Sequence, residues 1–287
     1  VSFSRVPRPG EWVRREGEDI RAGSIVLAAG TRLTPQATGL AASVGAATLR
    51  VHPRIRVACF FTGDELVMPG EPLPPGGIYN SNRFLLTALL RRLGCEVTDM
   101  GIVPDDREAT RAALRQAASQ ADLIVTSGGM SVGEEDHVRP AVQAEGELDM
   151  WQIAIKPGKP LAYGRVRNGG TGGFAHFIGL PGNPVSSFVT FLLFVRPFIL
   201  ALQGVADVTP ARLRMTAGFD WPRPDKRREF LRVSVNRESG ELSLFPNQGS
   251  AVLMSTVHGD GLVDNPPGQA IRRGDVVRYL PFSELLG

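Results

Sequence analysis

The stretch Asp122 to Asp136, DLIVTSGGMSVGEED, decides how this chain is read. Leu123-Ile124-Val125 is an apolar run with no polar alternation, the pattern of a strand covered on both faces. Ser127-Gly128-Gly129 then turns the backbone through conformations that a Cβ forbids, and Ser131 and Gly133 extend a small-residue loop that can approach a ligand closely. Glu134, Glu135 and Asp136 close the loop, so peptide N–H donors and hard oxygen ligands lie within a few residues of each other. An anion held by the donors, with a divalent cation beside it, is the simplest ligand for that pairing. The plainer alternative is a tight strand-to-helix turn whose acids cap the next helix.

Working outward from this loop, strands and helices alternate from Arg56 onward. Val57 to Phe61 reads as a strand ending in TGDEL (62–66), and Asn80 as the N-cap of an amphipathic helix from Arg83 to Leu93. Glu96 to Val103 is the next strand, and Pro104-Asp105-Asp106 caps a helix from Glu108 to Ala118. After the keystone loop come a helix near Val138 to Ala144, a strand at Trp151 to Ile155 ending in KPGKP (156–160), and a strand at Leu161 to Val166. Phe174 to Ile178 then runs into GLPGNPVSS (179–187). This order predicts an α/β fold: a doubly wound, mostly parallel sheet with right-handed crossovers. The loops TGDEL, VPDD, SGGMSVGEED, KPGKP and GLPGNP then share one rim, beyond the carboxyl ends of the strands.

The flanks differ. Residues 1–52 read as a β-rich segment with Gly-centred turns at Gly23 and Gly30 around Ser24-Ile25-Val26-Leu27, and a short helix from Thr38 to Val44. So thin a core is expected to pack on other material, and the opening VSFSRVPRPGEW, without an initiator Met, suits the later part of a longer polypeptide. Residues 53–204 form the α/β domain, and 205–287, with short β-like pieces and Gly turns, a C-terminal all-β, barrel-like domain. The 43% apolar and 21% charged content is that of a globular protein. Lys and Arg are scattered, with no run of five or more, which argues against a nucleic-acid track. Cys59 and Cys95 lie in or beside apolar runs, which argues for a reducing compartment and against a disulfide framework or a zinc site. Phe188 to Leu202 is apolar but interrupted by Arg196-Pro197, so a kinked core helix is expected there and no membrane span.

Three loops carry candidate chemistry. Lys156 and Lys159 bracket Pro157-Gly158, and two ammonium groups aimed into one space call for a dianion between them; the alternative is two separately solvated lysines. Asp64 and Glu65 end the first strand, one a possible helix cap and the other a candidate ligand for Mg²⁺ or a polar heterocycle. GLPGNPVSS fixes a loop ahead of a helix and presents N–H groups suited to phosphate, or else is a rigid turn only.

Together TGDEL (62–66), SGGMSVGEED (127–136), KPGKP (156–160) and GLPGNPVS (179–186) resemble, in order and separation, the molybdopterin molybdenumtransferases, the MoeA and gephyrin E-domain family. GEDIRAGSIVLAAGTRLTP (17–35) and NQGSAVLMS (247–255) are similar to that family's flanking segments. The resemblance implies molybdenum insertion into adenylated molybdopterin, with Mg²⁺-dependent release of AMP, by a cytoplasmic homodimer whose cleft is shared between subunits. It assigns Asp136 and Glu65, with Asp64, to an acidic metal-assisted centre, and Ser131, Lys156, Lys159, Arg227 and Ser250 to the molybdate pocket. Thr62, Gly128, Gly129, Gly182, Asn183 and Pro184 are implied to hold pterin or nucleotide, and Asp19 to face the shared cleft. Glu135 and His137 depart from the family pattern beside Asp136. The competing expectations are a molybdopterin adenylyltransferase-like enzyme, whose relatives show SGGTG where Met130-Ser131 stands here, and a gephyrin-type scaffold, which has no need of Asp136, Lys156 and Lys159 together.

Overall fold

The computed structural model describes residues 4–130, 137–170 and 172–286. It divides into two units, 1–52 with 204–206, and 53–203 with 207–287.

The first unit contains, among its described residues, one helix, α1 (Pro35–Ser43), and a succession of turns. Thr34 caps α1 by accepting the Ala37 N–H at 3.2 Å, and Pro35 takes the first helical position, where its missing N–H costs nothing. The strand expected at Ser24 to Leu27 does not form. Ile25 is 83% exposed, and a strand without a neighbour leaves its ladder groups to water, so β propensity alone does not hold it.

The second unit opens with β1 (Arg56–Thr62), β2 (Leu66–Val67), β3 (Ile78–Tyr79), α2 (Ser81–Arg92), β4 (Glu96–Val103), α3 (Arg107–Gln120) and β5 (Leu123–Ser127). It continues with α4 (Val138–Glu145), β6 (Gly146–Gln152), β7 (Ile155–Lys156), β8 (Pro160–Arg167) and β9 (Phe174–Leu180). The main sheet has the order β4-β1-β5-β9-β8-β6, with β4, β1, β5 and β9 parallel. Burial on both faces is visible in β1: Val57, Cys59 and Phe61 join Leu86 and Leu90 of α2 in one core, while Ala58 and Phe60 join Leu114 and Ala117 of α3 in the other. Asn80 and Asp106 cap α2 and α3 by accepting the N–H groups of Arg83 and Ala109.

The far edge departs from the expected parallel winding. β8 runs antiparallel to β9, and β6 antiparallel to β8. Only six residues separate Arg167 at the end of β8 from Phe174 at the start of β9, too few for a crossover helix, so the two strands make a hairpin. Two reversals restore the direction of β9, so the chain leaves β6 on the same edge as the ends of β1, β5 and β9. Trp151 to Ile155 is not the single strand expected: the main-sheet ladder stops at Gln152, and Ile155–Lys156 pairs instead with a strand of the C-terminal domain.

The apolar segment is one continuous helix in three parts, α5 (Pro184–Thr190), a π turn (Phe191–Val195) and α6 (Arg196–Leu202). The Arg196 N–H bonds to the Phe191 carbonyl, five residues back. This π turn takes up the irregularity next to Pro197, which has no N–H to give. The helix is long and apolar enough to cross a membrane, but it packs into the core through Val185, Val189, Leu192 and Ile199.

β10 (Leu213–Thr216), β11 (Arg228–Val235), β12 (Leu242–Leu244), α7 (Met254–Val257), β13 (Gly261–Asn265), β14 (Val276–Pro281) and α8 (Phe282–Leu286) complete the chain. The strands order as β10-β14-β13-β11-β12. A bridge between Ala217 and Leu242 brings the two ends of the sheet together, which gives the barrel-like form. Phe188 and Phe282 meet edge to face at 5.3 Å, so this domain shares a core with the helix α5.

Candidate functional site

A cleft of about 740 Å³ opens at the carboxyl edge of the parallel strands, the position the topology favours. Its walls come from the loop after β1 (Thr62, Gly63, Glu65), the start of α2 (Asn80, Ser81, Asn82) and the loop after β4 (Asp105). The loop after β5 (Gly128, Gly129, Met130), the loop after β9 (Gly182, Asn183, Pro184) and Ala251 of the C-terminal domain complete them.

The two glycines after β5 are needed for a reason the sequence only half showed. Gly128 has φ +101°, and a Cβ there would stand 2.1 Å from the Thr62 carbonyl oxygen; Gly129, at φ +58°, would place one 2.6 Å from Val138. The loop is pressed onto the end of β1 as well as open to the cleft. Asn82 fastens the neighbouring loop: its Nδ2 donates to the Gly182 carbonyl at 2.7 Å and to Ser127 Oγ at 2.8 Å. Since a carbonyl only accepts, Nδ2 must face Gly182, and Oδ1 is left in the wall without a partner among the described residues. Thr62 Oγ1 and Asn80 Nδ2 are likewise buried with no hydrogen-bond partner among the described residues. A hydroxyl, an amide donor and an amide acceptor without partners in one cleft suit a polar heterocyclic ligand.

Of the residues singled out in the sequence, Thr62, Glu65, Gly128, Gly129, Gly182, Asn183 and Pro184 line this cleft. Asp64 is exposed and does not line it. Ser131 and Asp136 lie outside the described residues, and Asp19 is an exposed residue of the other unit. Ser250 reaches the cleft loops through its backbone, since its carbonyl accepts the Val185 N–H at 3.0 Å. That bond takes up one of the N–H groups that the sequence offers to phosphate at this helix start. Pro184 has no N–H, and the next one along is already taken.

Lys156 is already paired with acids of the chain. The β7–β11 ladder turns Lys156 toward the C-terminal domain, where its Nζ lies 3.3 Å from both Asp225 Oδ2 and Glu229 Oε1. Arg227 joins this cluster, pairing with Asp225 at 3.1 Å and donating to the Ile155 carbonyl at 3.3 Å. The Arg227 guanidinium holds the Asp225 carboxyl well below the usual carboxylate range. Lys159 is exposed, and Pro160 next to it lines the cleft.

Sequence reasoning missed Asn82, Asp105, Asp225, Glu229 and Arg232. Asp105-Asp106 was read as a cap; Asp106 is the cap, while Asp105 lines the cleft. Arg232 is 1% exposed, and donates to Gly249 O at 3.1 Å and Ser255 Oγ at 3.1 Å, so it props the loop that carries Ser250 and Ala251. No pattern marks a buried arginine inside a strand, apart from its placement in an otherwise apolar run.

Among the described residues no group of three or more His, Cys, Asp or Glu side chains gathers. Two carboxylates, Glu65 and Asp105, do line the cleft. Mg²⁺ is commonly held by one or two carboxylates together with substrate phosphates, so this donor set fits it.

Fold and cleft define the class: an α/β domain that receives a small ligand at its carboxyl rim, with a β-barrel domain supplying part of the wall. Residues 58–201 match the family described as "Probable molybdopterin binding domain", 214–282 match "MoeA C-terminal region (domain IV)", and 2–45 match "MoeA N-terminal region (domain I and II)". The chain is 39% identical to a molybdopterin molybdenumtransferase of Haemophilus influenzae, over 100% of this chain and 71% of that protein. It is 37% identical to molybdopterin molybdenumtransferase 2 of Mycobacterium tuberculosis, over 93% of this chain and 66% of the relative. A crystal structure of a MoeA protein from Pyrococcus horikoshii superposes with a TM-score of 0.77 at 31% identity, covering 93% of this chain and 64% of that one. The chain belongs to the molybdopterin molybdenumtransferase family, and spans about two thirds of the length of these relatives.

Proposed function

We propose that this chain inserts molybdenum into adenylated molybdopterin with Mg²⁺-dependent release of AMP, a step of molybdenum cofactor biosynthesis, as a cytoplasmic homodimer. The observation that carries the reading is the cleft, large enough for a pterin nucleotide and walled by Thr62 Oγ1, Asn80 Nδ2 and Asn82 Oδ1, all buried without partners among the described residues.

In this reading Gly128 and Gly129 let the backbone lie close to the ligand, and the Gly182-Asn183-Pro184 turn forms the opposite wall. Glu65 and Asp105 would hold Mg²⁺, with Asp136 and Asp64 as the further carboxylates that the family resemblance assigns to it, and the ion would offset charge on the oxygens of the pyrophosphate bond. Lys156, Lys159, Arg227, Ser131 and Ser250 receive molybdate, delivered next to the cleft by the loop that ends at Pro160. The protein's task is then to position two substrates and stabilise charge as the phosphoanhydride breaks.

The test is direct. The chain mixed with adenylated molybdopterin, molybdate and Mg²⁺ should release AMP only when molybdate is present, and Glu65→Gln and Asp136→Ala should each abolish the release. AMP release that is indifferent to molybdate, or unchanged in both variants, refutes the reading.

A further inference from the structure

The wall of the cleft changes character at one place. Most of its lining is glycine, proline, serine, asparagine or acid, and Leu66 and Ile78 are the branched aliphatic residues in it. They belong to β2 and β3 and stand opposite each other in the parallel ladder that also pairs Val67 with Tyr79. Cross-strand partners share a face and successive residues alternate, so Leu66 and Ile78 point one way and Val67 and Tyr79 the other. Tyr79 borders the cleft, but its hydroxyl donates to the Glu71 carbonyl at 3.1 Å, and neither Glu71 nor Val67 is part of the lining. The face turned into the cleft is therefore the one that carries Leu66 and Ile78.

Ile78 is 53% exposed. A lone exposed isoleucine needs no explanation, but two aliphatic side chains held in register inside a polar cleft make a small apolar surface with nothing yet to cover it. Its backbone is pinned: the Ile78 N–H donates to the Glu65 carbonyl at 2.7 Å, the Asn80 N–H to the Val67 carbonyl at 2.9 Å, and the Leu66 N–H to the Gly63 carbonyl at 3.0 Å. A polar group stands at its end. Asn80 follows β3, and because its Oδ1 accepts the Arg83 N–H at 3.1 Å, Nδ2 is the atom left without a partner among the described residues. An apolar face beside a fixed donor suits a flat ring that is apolar above and below and polar at its edge.

We propose that Leu66 and Ile78 form the platform on which the adenine ring of the nucleotide substrate lies. The proposal rests on the reading of the cleft as the seat of adenylated molybdopterin, and it adds where the base is held. What stands next to the platform favours adenine over the pterin. Glu65, one of the two carboxylates lining the cleft, directly precedes Leu66, and its carbonyl holds Ile78. In the adenylated pterin only a ribose separates adenine from the phosphoanhydride, whereas the pterin lies on the other side of that bond, beyond the dithiolene arm. The ring closest to the carboxylate that meets the anhydride is then the base.

Calorimetric titration of the 287-residue chain with AMP, with ribose 5-phosphate and with pterin-6-carboxylate, each in the presence of Mg²⁺, tests it. Ile78→Thr keeps the β-branch and removes apolar area from the platform; the Kd for AMP should rise about fivefold, with the other two ligands unaffected. Ile78→Leu should restore AMP binding, and Val67→Thr, the same kind of change on the opposite face, should leave all three ligands as they are. AMP binding unchanged in Ile78→Thr, or weakened equally by Val67→Thr, overturns the proposal. So does a loss shared equally by ribose 5-phosphate, or one confined to pterin-6-carboxylate, which would give the platform to the other ring. The two readings fail separately. A chain that binds AMP through Ile78 yet releases none from adenylated molybdopterin with molybdate refutes the transferase reaction and leaves the platform standing, whereas an unsubstituted chain that binds neither AMP nor the pterin removes both.

Discussion

Replacing Gly128 by Ala isolates the geometry on which the cleft depends. The added Cβ would lie 2.1 Å from the Thr62 carbonyl oxygen, a backbone atom at the end of β1 that no rotamer change moves aside. β1 and β5 are in register there, with Phe61 opposite Ser127, so relief requires opening the main sheet. An L side chain at φ +101° costs ~1–2 kcal/mol, and forcing a methyl into filled space ~1–3 kcal/mol; together about 2–5 kcal/mol of stability should be lost. Gly182→Ala is the internal control. Its Cβ would meet nothing nearer than the Gly128 Cα at 3.9 Å, and it projects from a residue lining the cleft. That variant should keep its stability within about 0.5 kcal/mol while the KM for the pterin nucleotide rises several-fold. Urea unfolding of both proteins followed by far-ultraviolet circular dichroism, with AMP release measured alongside, makes the comparison. A Gly128→Ala protein as stable as the unsubstituted chain would refute the account of why glycine stands there.

Other consequences are simpler to check. Arg232→Ala removes the buried donor to Gly249 O, Ser255 Oγ and Phe230 O, and should cost about 3 kcal/mol or more in chemical denaturation. The hydrogen bond from Arg56 holds the Asp122 carboxyl below its ordinary value of 3.8, so the stability it adds is complete above that pH and fades as pH falls further. Because Asp122 is 39% exposed, Asp122→Asn should lower the neutral-pH stability by less than about 1 kcal/mol and flatten the acid limb of the profile. Burial pushes the Cys59 thiol up to about 12 and that of Cys95 to about 11, so neither should react with a thiol-specific chromogenic disulfide at pH ~8 until the chain is unfolded.

The parallel half of the main sheet was legible because β1, β5 and β9 are largely buried on both faces and the helices α2 and α3 carry their own start signals, Asn80 and Asp106. The edge was not, since Trp151 to Ile155 reads as one β run. Which sheet a residue joins depends on partners more than 70 positions away, as with Ile155 and Arg228. β13 escaped for a similar reason: Gly261–Asn265 is a buried strand carrying Asp264 and Asn265, polar residues made tolerable by Arg228 and by the Gln269 carbonyl. In the cleft, glycines and prolines announced themselves through turn chemistry. Asn82 did not, because an asparagine one residue inside a helix looks like a variant of the cap, and its bonds to Ser127 and Gly182 exist only once three loops have met. The paired lysines were visible, but the acids Asp225 and Glu229 that face Lys156 lie some seventy residues on and carried no motif.

The switch of the chain from one sheet to the other at Ile155 has a mechanical corollary. The peptide rungs of Ile155 and Lys156 belong to the barrel, whereas Ile153 and Pro160 on either side are tied to the α/β domain, by the Ile153–Lys159 bond and by β8. The lysine-bearing span is thus a short strap stitched at its middle to one body and at its ends to another. A slight rocking of the barrel would be felt there first, so Lys156 would travel with the barrel while Gly128 and Gly129, at the end of β5, would stay with the parallel sheet.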